Sequence, residues 1–100
     1  MMVVVFRSRL DPEALDEYGQ WAERISTLAR GMRGYRSHKT FTAEDGERLT
    51  LVEFDSEEDL AAWSVYPEHV AAKRRGRERF YTEYRIQVCS VLRDHAFERR

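Results

Sequence analysis

From its N-terminus the chain switches between two spacings of apolar residues, a dense β-branched one and one of three- and four-residue steps, and each switch predicts a new element. Met2 to Ser8 is β-branched and aromatic and stops at Asp11-Pro12, which predicts a first strand. Asp11 is a suitable helix cap with Pro12 at the first helical position. Beyond it Leu15, Tyr18, Ala22, Ile25, Leu28 or Ala29, and Met32 form one apolar stripe, predicting a long helix ended by Gly31 and Gly34. Tyr35 to Thr42 and Arg48 to Phe54 are strand-like runs around Glu44-Asp45-Gly46-Glu47, and Asp-Gly between such runs predicts a hairpin. Asp55, with Glu58 three residues on, reads as the cap of a second helix that buries Leu60 and Trp63. Pro67 breaks that helix, because it lacks an N–H and clashes with the preceding turn, and starts a further segment over Glu68 to Tyr81 at an angle to the first. A last strand is expected over Tyr84 to Arg93.

The resulting order, strand, helix, strand, strand, helix, strand, is the α+β ferredoxin-like arrangement, with an antiparallel sheet and helices on one face only. It fills residues 2–93 as one domain, and 94–100 is expected to be a loose C-terminal tail. The strand pattern leaves the other sheet face apolar as well. Val3 and Val5 oppose Val4 and Phe6, Leu49 and Leu51 oppose Val52 and Phe54, and Ile86, Val88 and Leu92 oppose Cys89 and Val91. Helices cover one face, so the other is expected to be buried in a homodimer with the sheets face to face.

Composition narrows the class without naming a reaction. The 17 basic and 18 acidic residues nearly cancel, which gives no field favouring nucleic acid or a membrane surface. The basic run Lys73-Arg74-Arg75-Gly76-Arg77-Glu78-Arg79 is diluted by its interleaved Glu78 and the flanking Glu68 and Glu83 and reads as a solvated helix face. No stretch is long enough to span a bilayer, the apolar start is too short for a signal peptide, and the lone Cys89 fits a reducing compartment, so a cytoplasmic location is expected. Cys89 has no base or cation beside it and reads as a buried structural thiol.

The residues with chemistry to offer gather near Pro67. Trp63 and His69 flank the break, where an indole and an imidazole either pack and cap, or grip a flat aromatic substrate and move its proton. Tyr66 lies beside them. Helical spacing puts Val70, Arg74, Arg77 and Tyr81 in one stripe, making Arg74 and Arg77 candidate cations for a phenolate or carboxylate. His38, His69 and His95 lack metal-ligand spacing and companion cysteines, so no metal is expected. Gly31-Met32-Arg33-Gly34 is no phosphate loop, so no nucleotide cofactor is expected. On α-helical spacing Tyr18 and Trp21 either pack or line a pocket.

Ala62-Trp63, Pro67-Glu68-His69, Ala72, Gly76-Arg77, Phe80, Tyr84, Ile86 and Val88 together resemble the antibiotic biosynthesis monooxygenase family of small dimeric α+β barrel proteins. The valine-rich first strand, Gly34-Tyr35 at the end of the long helix, and Leu51-Val52-Glu53-Phe54 before Asp55-Ser56-Glu57 fit the same layout. The resemblance implies a pocket between helices and sheet in which some members oxidise phenolic or quinol compounds with molecular oxygen and no flavin, haem or metal. It implies His69 as base or hydrogen-bond partner, Trp63 as stacking wall, and Tyr66 or an arginine as the stabiliser of negative charge. Haem-degrading relatives need an Asn on a strand, and this sequence has no Asn, which disfavours haem degradation. The competing class is a non-catalytic dimeric small-ligand-binding protein on the same scaffold.

Overall fold

The computed structural model describes residues Met1–Arg100. Strand β1 spans Met2–Leu10, and a 3₁₀ turn at Pro12–Ala14 leads into helix α1, Leu15–Arg30. Asp11 is a helix-entry cap as expected, its carboxylate accepting from the Glu13 N–H at 2.9 Å. Strands β2 (Tyr35–Thr42) and β3 (Arg48–Phe54) form the hairpin, with Gly46 at φ 90° in its turn. Helix α2 (Glu57–Ser64) is capped by Ser56, whose Oγ accepts from the Asp59 N–H, one residue later than expected. Asp55 is occupied elsewhere, in an ion pair with Arg36 at 3.0 Å. Helix α3 (Pro67–Arg75) begins at Pro67, and a π-helical turn, Gly76–Phe80, delivers the chain directly into β4, Tyr81–Ser90. The last strand therefore starts earlier than the sequence pattern indicated, and Val91 onwards carries no regular element.

The four strands form one antiparallel sheet in the order β2-β3-β1-β4. Alternation sends one row of side chains from each strand toward the helices. Three rungs cross that face: His38, Val52, Val4 and Val88; then Thr40, Thr50, Phe6 and Ile86; then Thr42, Arg48, Ser8 and Tyr84. The densest core lies at one end, where Ala29, Phe54 and Trp63 pack with Ile25, Leu28, Met32, Val52, Leu60 and Tyr66. Phe54 is fully buried there. Leu15, expected in the α1 stripe, is exposed, and Ala14 is the buried residue at that turn.

The opposite face is apolar at its centre, through Val3, Val5, Leu49 and Leu51, with Phe41 exposed at its margin. It is more polar toward β4 than expected, because Glu83, Arg85 and Gln87 point that way. Cys89 also lies on this side and is exposed, not a buried thiol: an edge strand has no covering layer to bury it. The helices, meanwhile, do not reach across the whole inner face. Tyr84, Ile86 and Val88 stay 42%, 49% and 57% exposed on the helix side of β4, because that strand lies beyond the helices' reach.

Candidate functional site

Between the helices and the sheet is a cavity of about 540 Å³, within the span of about 300–1,000 Å³ usual for small-molecule sites. Its floor is the first two rungs with Arg48 and Tyr84 of the third, and its roof is α1, α2, α3 and the π-helical turn. The exposed Tyr84, Ile86 and Val88 form its lip on the β4 side. Two ion pairs join the helices above it. Arg75 grips Glu17 through two hydrogen bonds of 2.6 Å, and Arg24 meets Glu68 at 3.0 Å.

Trp63 and His69, separated by the Pro67 break, come together in the wall. Their rings are stacked, 4.1 Å between centroids and 13° between planes. The break is what permits this: α2 ends at Ser64, and Pro67 restarts the chain so that the first turn of α3 folds back over Trp63. His69 Nδ1 lies 3.0 Å from the Trp63 carbonyl oxygen. A carbonyl only accepts, so Nδ1 carries the proton and Nε2 keeps the lone pair in the neutral ring. Burial holds the ring below its ordinary pKa, aided by the charge of Lys73, against the opposing pull of the carbonyl bond. His69 is thus a neutral imidazole with a basic nitrogen to offer.

Arg77 lines the cavity, while Arg74 is exposed and outside its wall. On α3 the inward positions are His69, Ala72 and Lys73, and within the π-helical turn they are Arg77 and Phe80. Arg74 follows Lys73 by about 100° of helical rotation and so points away. Tyr66 is likewise outside the wall; it packs behind Trp63, with 5.9 Å between ring centroids.

Lys73 was hidden inside the basic run, yet it lines the cavity and its charge bears on His69. Its ammonium donates to the Ser64 carbonyl at 2.7 Å and to Ser64 Oγ at 3.0 Å. Burial and then the Arg77 charge lower its pKa. Lys73 and Arg77 thus both line the cavity, and the Lys73 charge bears directly on His69.

His38 is the second residue the sequence pattern passed over. It rises from β2 into the cavity, with Nδ1 2.7 Å from the Tyr35 hydroxyl and Nε2 3.1 Å from Ser26 Oγ. Burial, and then the charge of Arg30, lowers its pKa. At the other end of the floor Tyr81 meets Phe6, Tyr18, Phe80 and Tyr84 at centroid distances of 5.3 to 6.5 Å, and the Arg48 guanidinium lies 5.0 Å from the Tyr18 ring centre. Burial raises the Tyr81 pKa, so its phenol stays protonated. Gly76 makes this packing possible, since a β-carbon there would come within 2.7 Å of the Tyr81 ring.

A family model for antibiotic biosynthesis monooxygenases matches residues 1–75. The chain belongs to this family. Relatives bear out the fold. The Bacillus subtilis (strain 168) protein YqjZ, which is uncharacterised, is 33% identical over 81 residues, covering 81% of this chain and 71% of its own. The solved structure of Rv0793 from Mycobacterium tuberculosis superimposes with a TM-score of 0.82 at 19% identity, over 95% of this chain and 98% of that one. SnoaB from Streptomyces nogalater, a cofactor-independent oxygenase, does so with a TM-score of 0.77 at 12% identity, over 93% and 94% of the two chains. No helix is long and apolar enough to cross a membrane, and no group of three or more His, Cys, Asp or Glu side chains is arranged to hold a metal ion.

Proposed function

We propose that the protein is a cofactor-independent monooxygenase that oxidises a small phenolic or quinol-type aromatic compound with molecular oxygen. The observation that carries this reading is the Trp63–His69 stack in the cavity wall, with Nδ1 held by a backbone carbonyl and Nε2 left basic. Trp63, its face taken by the imidazole, is not the stacking wall for a substrate ring but the support that fixes the plane of His69. His69 takes a proton from the bound phenol or its keto tautomer, and Lys73 and Arg77 balance the anion that forms. An electron-rich anion of this kind gives an electron to oxygen by itself; recombination and proton uptake then yield a substrate hydroperoxide. Loss of water turns the C–H and O–O bonds of that hydroperoxide into a ketone and one water molecule, so one oxygen atom stays in the product.

Oxygen uptake with a panel of anthrones and quinols tests this reading. Protein-dependent uptake with quinone formation is expected. Tight binding of the same compounds with no uptake would instead establish the ligand-binding alternative. The assembly is proposed as a homodimer through the bare sheet face centred on Val3, Val5, Leu49 and Leu51. Sedimentation at micromolar concentration is expected to give a mass of about twice the chain's 11.9 kDa, and a monomer would refute it.

A further inference from the structure

Oxidation through a hydroperoxide needs two proton-handling groups, and His69 is only one of them. Removing the hydroperoxide's C–H proton requires a base, while the departing hydroxide requires an acid. Ser26, His38 and Tyr35 form a continuous hydrogen-bonded chain to the same cavity. Ser26 Oγ is 3.1 Å from His38 Nε2, and His38 Nδ1 is 2.7 Å from the Tyr35 hydroxyl. Ser26 and His38 both line the cavity, whereas Tyr35 does not and is only partly buried at the start of β2.

Two features separate this chain from a simple tie between α1 and β2. A helical serine satisfies its hydroxyl most easily on the carbonyl one turn back, as the adjacent Thr27 does on the Glu23 carbonyl at 3.1 Å. Ser26 is bonded to His38 instead. Every member, moreover, both donates and accepts, so the chain has two complementary states. In one, Tyr35 O–H donates to Nδ1, Nε2–H donates to Ser26 Oγ, and the Ser26 proton points to a ligand. In the other, every bond is reversed. Passing from the first to the second delivers one proton into the cavity and leaves the imidazole neutral. The lowered basicity of His38, from burial and Arg30, suits a ring that hands protons on and does not keep one.

Resting on the oxygenase reading, we propose that Tyr35, His38 and Ser26 are the proton-delivering arm of the site, with the Ser26 hydroxyl protonating the oxygen that leaves the substrate hydroperoxide. In that step His69 Nε2 removes the C–H proton and its electron pair forms the new C=O bond. The O–O bond breaks, the departing hydroxide takes the Ser26 proton, and water leaves. Ser26 is reprotonated from His38 Nε2, and His38 Nδ1 from Tyr35, which is recharged from solvent.

The arm is testable without oxygen by supplying the hydroperoxide directly. Anaerobic protein with 9-hydroperoxyfluorene is expected to accelerate formation of fluorenone, followed by its absorbance. His38→Gln keeps a donor and an acceptor but cannot exchange them, and it should slow ketone formation about a hundredfold with fluorenone affinity unchanged. Ser26→Ala, which α1 tolerates well, should do the same, and Tyr35→Phe should slow it by a smaller factor. Acceleration that is absent in the wild type, or that survives both His38→Gln and Ser26→Ala, overturns the proposal. If the hydroperoxide is dehydrated through the arm but no anthrone or quinol supports oxygen uptake, the oxygenase reading fails while the arm stands. Oxygen uptake with dehydration indifferent to His38 and Ser26 removes the arm and leaves the oxygenase reading in place.

Discussion

His69 and His38 are two partly buried imidazoles in the walls of one cavity, both less basic than usual for the same reason, and they differ in what holds them. His69 is bonded to a backbone carbonyl and stacked on Trp63, so its proton has one possible place and its lone pair another. His38 is bonded to two hydroxyls, so its proton has no fixed place. Partners that only accept make an imidazole into a base of defined direction; partners that do both make it a relay. Residue type and burial alone would have given the two the same role.

The largest expected effect comes from removing the structure that fixes His69. Trp63 is 5% exposed and lies in the cluster with Phe54 and Ala29, so Trp63→Ala should cost about 3–5 kcal/mol of stability in urea unfolding. The His38 bonds do not involve Trp63, and their retention in the variant would keep the two walls separable. A loss under about 1 kcal/mol would mean that Trp63 does not support the His69 wall, since removing a buried aromatic side chain ordinarily costs about 3–5 kcal/mol. Next in size, His69→Gln should lower the rate of oxygen uptake about a hundredfold while leaving anaerobic ligand affinity nearly unchanged. An equal loss of affinity and rate would make His69 a binding group and would erase its contrast with His38.

Much of the fold was legible because each switch of apolar period coincided with a punctuating residue: Asp11-Pro12, Gly34, Asp45-Gly46 and Pro67. Gly34, at φ 81°, lies so close to the Asp59 carboxylate that a β-carbon would overlap it. The Trp63 and His69 pair was legible too, since a proline between two helices forces their near ends together. Other parts left no periodic trace. In β2 the run Arg36-Ser37-His38-Lys39-Thr40 is polar on both faces, so alternation cannot mark His38 as inward. Lys73 sits in a run of cations whose other members are largely solvated, and only the α3 rotation picks it out. The π-helical turn moved the start of β4 to Tyr81 because wide turns carry no period of their own. Leu15 and Cys89 were misplaced for the related reason that an apolar side chain at the edge of a small domain finds no layer above it.

The smallest effect should come from pH, and its sign follows from the lowered imidazole pKa values. An unfolded histidine titrates near about 6.5, whereas His38 and His69 titrate lower in the folded chain. Between those limits the unfolded chain binds more protons, so stability rises with pH there and is lost as pH falls from about 6.5 toward the folded values. Above that window both states hold neutral rings and the contribution is complete. Glu17 and Asp45, lowered chiefly by Arg75 and by the hairpin and Arg9 respectively, act with the same sign in a separate, more acidic window. Urea midpoints between about pH 7 and 5.5 should therefore fall in the wild type and fall less in His38→Gln and in His69→Gln. The rate of oxygen uptake adds a distinction between the rings. His69 must be neutral to accept a proton, so the acid limb of the rate profile should lie below about pH 6.5. It should stay there in His38→Gln, where the remaining activity is lower but still limited by His69. A limb that moved upward on replacing His38 would mean that the two imidazoles titrate as one coupled unit, and the division of roles between base and relay would not hold.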